Sequence, residues 1–175
     1  TTPWTLPANL GAAVAADADY VVVRQGDARS VVGAALRERV LGPDGEVETK
    51  IRGSALVGAR YRPPYPNVEE GHTVVAGGFV TMEDGTGIVH VAPAFGAADL
   101  DVGRAHGWPV FKPVDDAGRF TELGPAFVRG RFVKDADADI VADLRAQDLL
   151  VREEAYEHNY PFCWRCKTPL LYYAR

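Results

Sequence analysis

Gly85-Thr86-Gly87-Ile88-Val89-His90-Val91-Ala92-Pro93-Ala94-Phe95-Gly96-Ala97-Ala98-Asp99-Leu100 reads as strand, loop and helix. Met82-Glu83-Asp84-Gly85 leads into it as a turn signal, since Asp caps the bend and Gly accepts a positive φ. Residues 87–91 are short and β-prone through Ile88, Val89 and Val91. Pro93 breaks the strand, Gly96 loosens the backbone, and a helix is expected from Ala97. Asp99 then falls in the first helical turn, where the helix dipole favours a carboxylate. A strand-to-helix connection of this kind can bring His90 and Asp99 to one pocket mouth. The plainer alternative is a packed histidine and a dipole partner, and residue types alone leave both open.

The chain has 175 residues, 47% hydrophobic and 25% charged, which suits one domain, with or without an appendage, and a real core. No run approaches the ~20 apolar residues of a membrane span, and no signal peptide is visible. Lys and Arg number 19 against 24 Asp and Glu, a net charge of −5. That balance argues against a broad basic face for long nucleic acid but not against local contacts to one strand end. Cys163 and Cys166 are the two cysteines, and nothing suggests secretion, so a reducing cytoplasm is expected. Motif-dense ends suggest a domain cut from a longer protein, and nothing points beyond a monomer.

Outward from the central stretch, Thr1-Thr2-Pro3-Trp4-Thr5-Leu6-Pro7 is stiffened by its prolines and read as non-helical. Its hydroxyls suit a polar ligand or, equally, a capped lead-in to a strand. Residues 12–23 read as strand material interrupted at Asp17-Ala18-Asp19, and Gln25-Gly26-Asp27 turns it. Val32, Leu36 and Val40 recur at helical spacing, so residues 30–41 are expected to form an amphipathic helix ended by Gly42-Pro43-Asp44-Gly45. Strands are expected over 46–51, 73–76, 79–82, 108–114, 127–133 and 151–156, with a bulge at Gly77-Gly78 and a helical turn over 53–58. Helices are expected over 97–106 and 135–149, the second capped by Asp135 with Ala136, Ile140 and Leu144 inward. Arg60-Tyr61-Arg62-Pro63-Pro64-Tyr65-Pro66 is a Pro-aromatic loop that either stacks on a nucleotide or packs on the body. Asp115-Asp116 reads as a solvated turn, and Arg129 with Arg131 as a basic face. The expected class is mixed α/β (α+β): a curved, mostly antiparallel, barrel-like sheet with peripheral helices.

Cys163-Trp164-Arg165-Cys166 supplies two ligands where structural zinc needs four, with His158 a conceivable third. Half a zinc knuckle, plain reduced thiols and a redox pair all remain open. The last is disfavoured because Pro169 and the nearby turn residues do not make a thioredoxin-like context.

Three blocks together are specific. Residues 1–9, residues 85–93 with Asp99, and Tyr160-Pro161-Phe162-Cys163-Trp164-Arg165-Cys166 resemble the editing (CP1) insertion of isoleucyl-tRNA synthetase, a class I aminoacyl-tRNA synthetase. The resemblance covers essentially the whole chain. Valyl and leucyl relatives typically carry Arg-Pro after the paired threonines, where Pro3-Trp4 stands here, and lack a run like His90-Val91-Ala92-Pro93.

The resemblance implies a hydrolase that removes valine from the 3′ end of tRNA(Ile), with the rest of the parent synthetase as partner. Rejection of valine at the synthetic site is worth only about 1–3 kcal/mol, a magnitude for which this same enzyme family is the standard example. By the same resemblance Asp99 holds the α-ammonium, and His90 shapes the pocket against isoleucine. Thr1, Thr2, Trp4 and Thr5 line the pocket and the terminal-adenosine site. Ala94 and Phe95 join the substrate contacts, and amides of Gly85, Thr86 and Gly87 contact the terminal nucleotide or the oxyanion. Editing needs no cofactor, whereas Cys163 and Cys166 match half of a zinc site of the full-length enzyme. The expected division is an editing domain over 1–157 and a half zinc knuckle with return strand over 158–175. The alternatives are a non-catalytic module that docks the tRNA 3′ end, the editing domain of a valyl or leucyl enzyme, and a small zinc ribbon.

Overall fold

The computed structural model describes residues 1–66, 68–154, 163–165, 167 and 170–174. They form two compact units: Thr1 with Asn9–Val91, and Thr2–Ala8 with Ala92–Arg175. The boundary expected at 157/158 lies outside the described residues, as does most of the strand expected over 151–156; residues 151–154 are not strand.

The first unit holds six strands in two open sheets. β1 (Gly11–Val14) is central in one, parallel to β5 (Thr73–Ala76) and antiparallel to β6 (Ile88–Val91). β2 (Asp19–Gln25) is central in the other, antiparallel to β3 (Ala28–Gly33) and β4 (Glu46–Arg52). The β2–β3 hairpin turns at Gly26, whose φ of +60° costs a glycine nothing. The Tyr20 hydroxyl joins the two sheets: it accepts from Ala15 N–H (2.9 Å) and donates to the Gly87 carbonyl (2.6 Å).

The helix expected over 30–41 begins as strand up to Gly33 and continues as a 3₁₀ turn over Ala34–Leu36. β3 runs through Val31 and Val32, and only α1 (Arg37–Leu41) is α-helical. The β-branched pair takes the hairpin ladder offered by β2. The spacing of Val32, Leu36 and Val40 still marked one apolar cluster with Val21 and Val23, but a strand followed by a 3₁₀ turn and a short helix brings them together. Residues 79–82 are not strand: Gly77-Gly78 makes a turn, not a bulge, with Val80 N–H on the Gly77 carbonyl (3.1 Å).

The second unit is built on α2 (Ala97–Ala105) and α3 (Val133–Ala146). Ala136, Ile140 and Leu144 are buried as expected, with Val133 beside them. Asp135 does not cap α3: the cap position is Phe132, without a side-chain bond, and Asp135 lies in the first turn. Residues 108–114 carry only an isolated bridge, Val114 with Phe120, because Pro109 and Pro113 lack ladder donors. Residues 127–133 hold the end of a 3₁₀ turn (Ala126–Val128) and the start of α3 instead of an edge strand. Their arginines are neutralised, Arg129 by Glu122 (3.0 Å) and Arg131 by Asp139.

No described helix is long and apolar enough to cross a membrane. Tyr20→Phe removes a fully buried hydroxyl that makes two hydrogen bonds. Urea unfolding of that variant should show a loss of about 1–3 kcal/mol.

Candidate functional site

In the first unit, β6 carries His90 opposite Ala12. Gly85 (φ +68°) and Gly87 (φ +76°) turn the chain into β6. A Cβ on Gly87 would sit 3.2 Å from the Gly33 backbone, and the Thr86 carbonyl accepts Gly33 N–H at 2.8 Å. Thr86 Oγ1 closes the bend on Ile88, accepting its N–H (3.2 Å) and donating to its carbonyl (3.0 Å). The packing of this turn therefore accounts for Gly87 whether or not its amides meet a ligand.

Asn9 is the residue that this part of the sequence hid. It is 5% exposed, and its Nδ2 donates to the Gly11 carbonyl (2.9 Å) and lies 2.8 Å from His90 Nδ1. Its Oδ1 accepts from the Tyr61 hydroxyl at 2.6 Å. A carbonyl on one side and a phenol on the other set the amide orientation, so His90 Nδ1 is the acceptor and the ring proton belongs on Nε2. Burial pushes the Tyr61 phenol up to about 12. Tyr65 is buried as well. The two tyrosines of the Pro-aromatic loop thus pack on the body.

In the second unit, Pro3–Ala8 forms a 3₁₀ turn, with Trp4, Pro7 and Ala8 buried. The segment is helical after all, though not α-helical, since Pro7 cannot donate within it. Thr5 N–H (3.2 Å) and Oγ1–H (2.8 Å) both donate to the Thr2 carbonyl, which brings the two threonines together. Asp137 of α3 anchors the turn: its Oδ1 accepts Trp4 N–H at 2.9 Å. Burial raises the Asp137 pKa, opposed by that N–H and by Lys134. No sequence signal links Asp137 to Trp4, because they lie 133 residues apart.

Trp4 meets Phe95 edge to face, ring centroids 4.7 Å apart. Ala94 is fully buried, and its carbonyl accepts Ala174 N–H at 2.9 Å. Asp99 opens α2 as expected, and its Oδ2 accepts Ala92 N–H at 2.7 Å. A Cβ on Gly96 would lie 2.9 Å from the Asp99 carboxyl carbon, so glycine there leaves room for the carboxylate. Burial pushes the Asp99 pKa above the ordinary carboxylate value, offset in part by Ala92 N–H, and no ion pair to Asp99 occurs among the described residues.

Thr1 is exposed. Cys163 is a half-buried free thiol, while Cys166 and His158 lie outside the described residues. Among the described residues no three His, Cys, Asp or Glu side chains are grouped to hold a metal.

No protein-family model matches the chain. Isoleucine–tRNA ligase of Methanothermobacter marburgensis is 48% identical over 179 residues, covering 99% of this chain and 17% of the ligase. The Thermus thermophilus ligase is 46% identical over 175 residues, covering 99% and 16%. The chain matches one segment of isoleucine–tRNA ligase. It spans about a sixth of the length of these curated relatives. Two solved structures share the fold of this chain. The structure of GlLeuRS-CP1 superposes with a TM-score of 0.68 at 20% identity, covering 89% of this chain and 82% of that one. The editing domain of cytosolic leucyl-tRNA synthetase from P. knowlesi gives 0.60 at 11%, covering 84% and 79%. The mixed class with mostly antiparallel sheets and peripheral helices is thus the editing-domain fold, with sheets that stay open.

A pKa raised by burial means that ionised Asp99 costs the folded state free energy. Protonated Asp99 carries no such cost, so the penalty sets in as pH rises through the carboxylate range toward the raised folded pKa. Asp99→Asn should therefore melt at or above the wild-type temperature at pH 7. The difference should shrink as pH falls below the carboxylate range, read by thermal melts across pH.

Proposed function

We infer that the chain is an editing esterase that hydrolyses valine from the 3′ end of mischarged tRNA(Ile). The carrying observation is the half-buried Asp99 carboxylate, which has one oxygen on Ala92 N–H and no counter-charge among the described residues. A carboxylate held partly out of water without a cation costs the folded chain free energy, and an α-ammonium relieves the cost through charge-assisted hydrogen bonds.

Water attacks the ester carbonyl, the acyl C–O bond breaks, and valine leaves the ribose hydroxyl of the terminal adenosine. The ester is already activated, so the step needs no cofactor. His90 shapes the pocket against the larger isoleucine. Thr2 and Thr5, with Thr1 and Trp4, line the pocket and the adenosine site, Ala94 and Phe95 back the aminoacyl group, and the turn at Gly85, Thr86 and Gly87 meets the terminal nucleotide or the oxyanion. The match to isoleucine–tRNA ligase supports tRNA and the remainder of a synthetase as partners; the cytoplasm is the setting proposed with them. Cys163 and Cys166 would supply half of a zinc site in the full-length enzyme.

Deacylation of valyl-tRNA(Ile) and isoleucyl-tRNA(Ile), by the chain and by a full-length ligase carrying it, tests the reading. The valyl ester should be lost selectively, and Asp99→Ala should lower kcat/KM about a hundredfold or more while the fold survives. Full activity in Asp99→Ala would overturn the assignment, and tRNA binding without turnover in the full-length enzyme would make the segment a docking module. Only ionised Asp99 attracts an ammonium, so kcat/KM should fall on the acid side with an apparent pKa above the 3.8 of an unperturbed aspartate.

A further inference from the structure

Asp137 is out of keeping with the helix that bears it. The buried face of α3 is Val133, Ala136, Ile140 and Leu144. Asp137 lies four residues after Val133 and three before Ile140, on the same side of the helix, where the period calls for an apolar residue. Burial there raises the pKa of the acid, so its charge costs the fold free energy. Its Oδ1 accepts Trp4 N–H at 2.9 Å. The indole offers no second polar tether, since Nε1 is buried without a hydrogen-bond partner among the described residues. Packing holds the ring instead: Trp4 meets Phe95 edge to face at 4.7 Å, and Lys134 Nζ lies 6.0 Å from its centroid. Thr2 and Thr5 stand on either side of Trp4, joined through the Thr2 carbonyl. The bond from α3 therefore enters the turn between the two threonines.

We propose that Asp137 is a positioning residue for editing: by holding the Trp4 backbone on α3 it fixes where the Thr2 and Thr5 hydroxyls and the Trp4 ring stand toward the substrate. The physical reason lies in the turn. A first-turn N–H has no helical carbonyl before it, and a short 3₁₀ segment has poor hydrogen-bond geometry of its own. An acceptor from outside then decides how Trp4 N–H is aimed, and the threonines follow the backbone between them. Asp137 acts through Trp4, so the place of its acceptor oxygen matters and the charge behind that oxygen does not. Misplacing a substrate-positioning group by about 1 Å costs up to ~100-fold in rate, even when the change is remote from the chemistry. This role rests on the editing function inferred above.

Three substitutions in the full-length ligase separate position from charge and from fold. Asp137→Asn keeps an acceptor oxygen in the same place without the charge. Asp137→Glu keeps the charge but carries the acceptor a methylene further out. Asp137→Ala removes the acceptor. Deacylation of valyl-tRNA(Ile) is measured for each, with thermal melts alongside. Asp137→Asn should stay within about threefold of the wild-type kcat, while Asp137→Glu and Asp137→Ala should fall about tenfold or more in kcat with little change in KM. Hydrogen exchange at the Trp4 amide, read by NMR of the chain, should stay slow in Asp137→Asn and become fast in Asp137→Ala. Wild-type kcat in Asp137→Glu, or a loss in Asp137→Asn equal to that in Asp137→Ala, overturns the proposal. Lowered melting temperatures with kcat unchanged throughout overturn it too and leave Asp137 a structural residue. If Asp137→Ala does not fold, the contrast between Asp137→Asn and Asp137→Glu decides alone. Failure of the editing reading looks different: full activity in Asp99→Ala removes the reaction that Asp137 serves, and this role with it. An inactive Asp99→Ala beside Asp137 variants at wild-type kcat leaves editing standing and overturns this role alone.

Discussion

A carboxylate set against a backbone amide at the start of a helix is the constraint on which the candidate site depends. Asp99 accepts Ala92 N–H at 2.7 Å and so closes the turn that leads into α2. The same burial that makes this bond firm raises the pKa of the acid and leaves its charge without a cation among the described residues. Such a group is poorly chosen for stability alone. On the proposed function, its free-energy cost would be returned by the positive α-ammonium of the substrate. Gly96 belongs to the same arrangement, because any side chain there would press on the carboxylate.

Each unit adds a second polar device of long sequence reach. In the first, Asn9 gathers Gly11, Tyr61 and His90, and in the second, Asp137 holds the backbone of Trp4. Both are side chains in partly or fully dry surroundings that satisfy groups a loop would otherwise leave unpaired. Trp4 N–H lies in the first turn of Pro3–Ala8, where no helical carbonyl precedes it, so it takes an acceptor from α3. The tyrosines of the Pro-aromatic loop serve a comparable end: Tyr65 is buried and Tyr61 donates inward.

The readings that failed share a physical cause. Val32, Leu36 and Val40 are spaced as a helix would space them, and they do line one apolar cluster. Periodicity reports which residues face inward, while the β2 ladder decided that Val32 arrives there on a strand. Residues 108–114 and 127–133 carry enough β-branched and aromatic side chains for strands, yet Pro109, Pro113 and the bend at Gly130 (φ +74°) deny them a continuous ladder. By contrast β6, α2 and the buried face of α3 were legible, because turn chemistry, strand propensity and helical period agree there.

The sequence by itself determined the family resemblance, the editing-domain class, the strand–loop–helix run bearing His90 and Asp99, and the turn glycines Gly85 and Gly87. All of these are carried by residues close along the chain, where local propensity and spacing suffice. Only the tertiary structure decided that Asp137 grips Trp4, that Tyr61 and Asn9 stand behind His90, and that the Asp99 charge is half-buried and uncompensated among the described residues. Those facts depend on which donor meets which acceptor across 133, 52 or 81 residues of chain, and on how much water remains around them. Neither quantity has a local signature, since both arise only when the folded backbone excludes solvent.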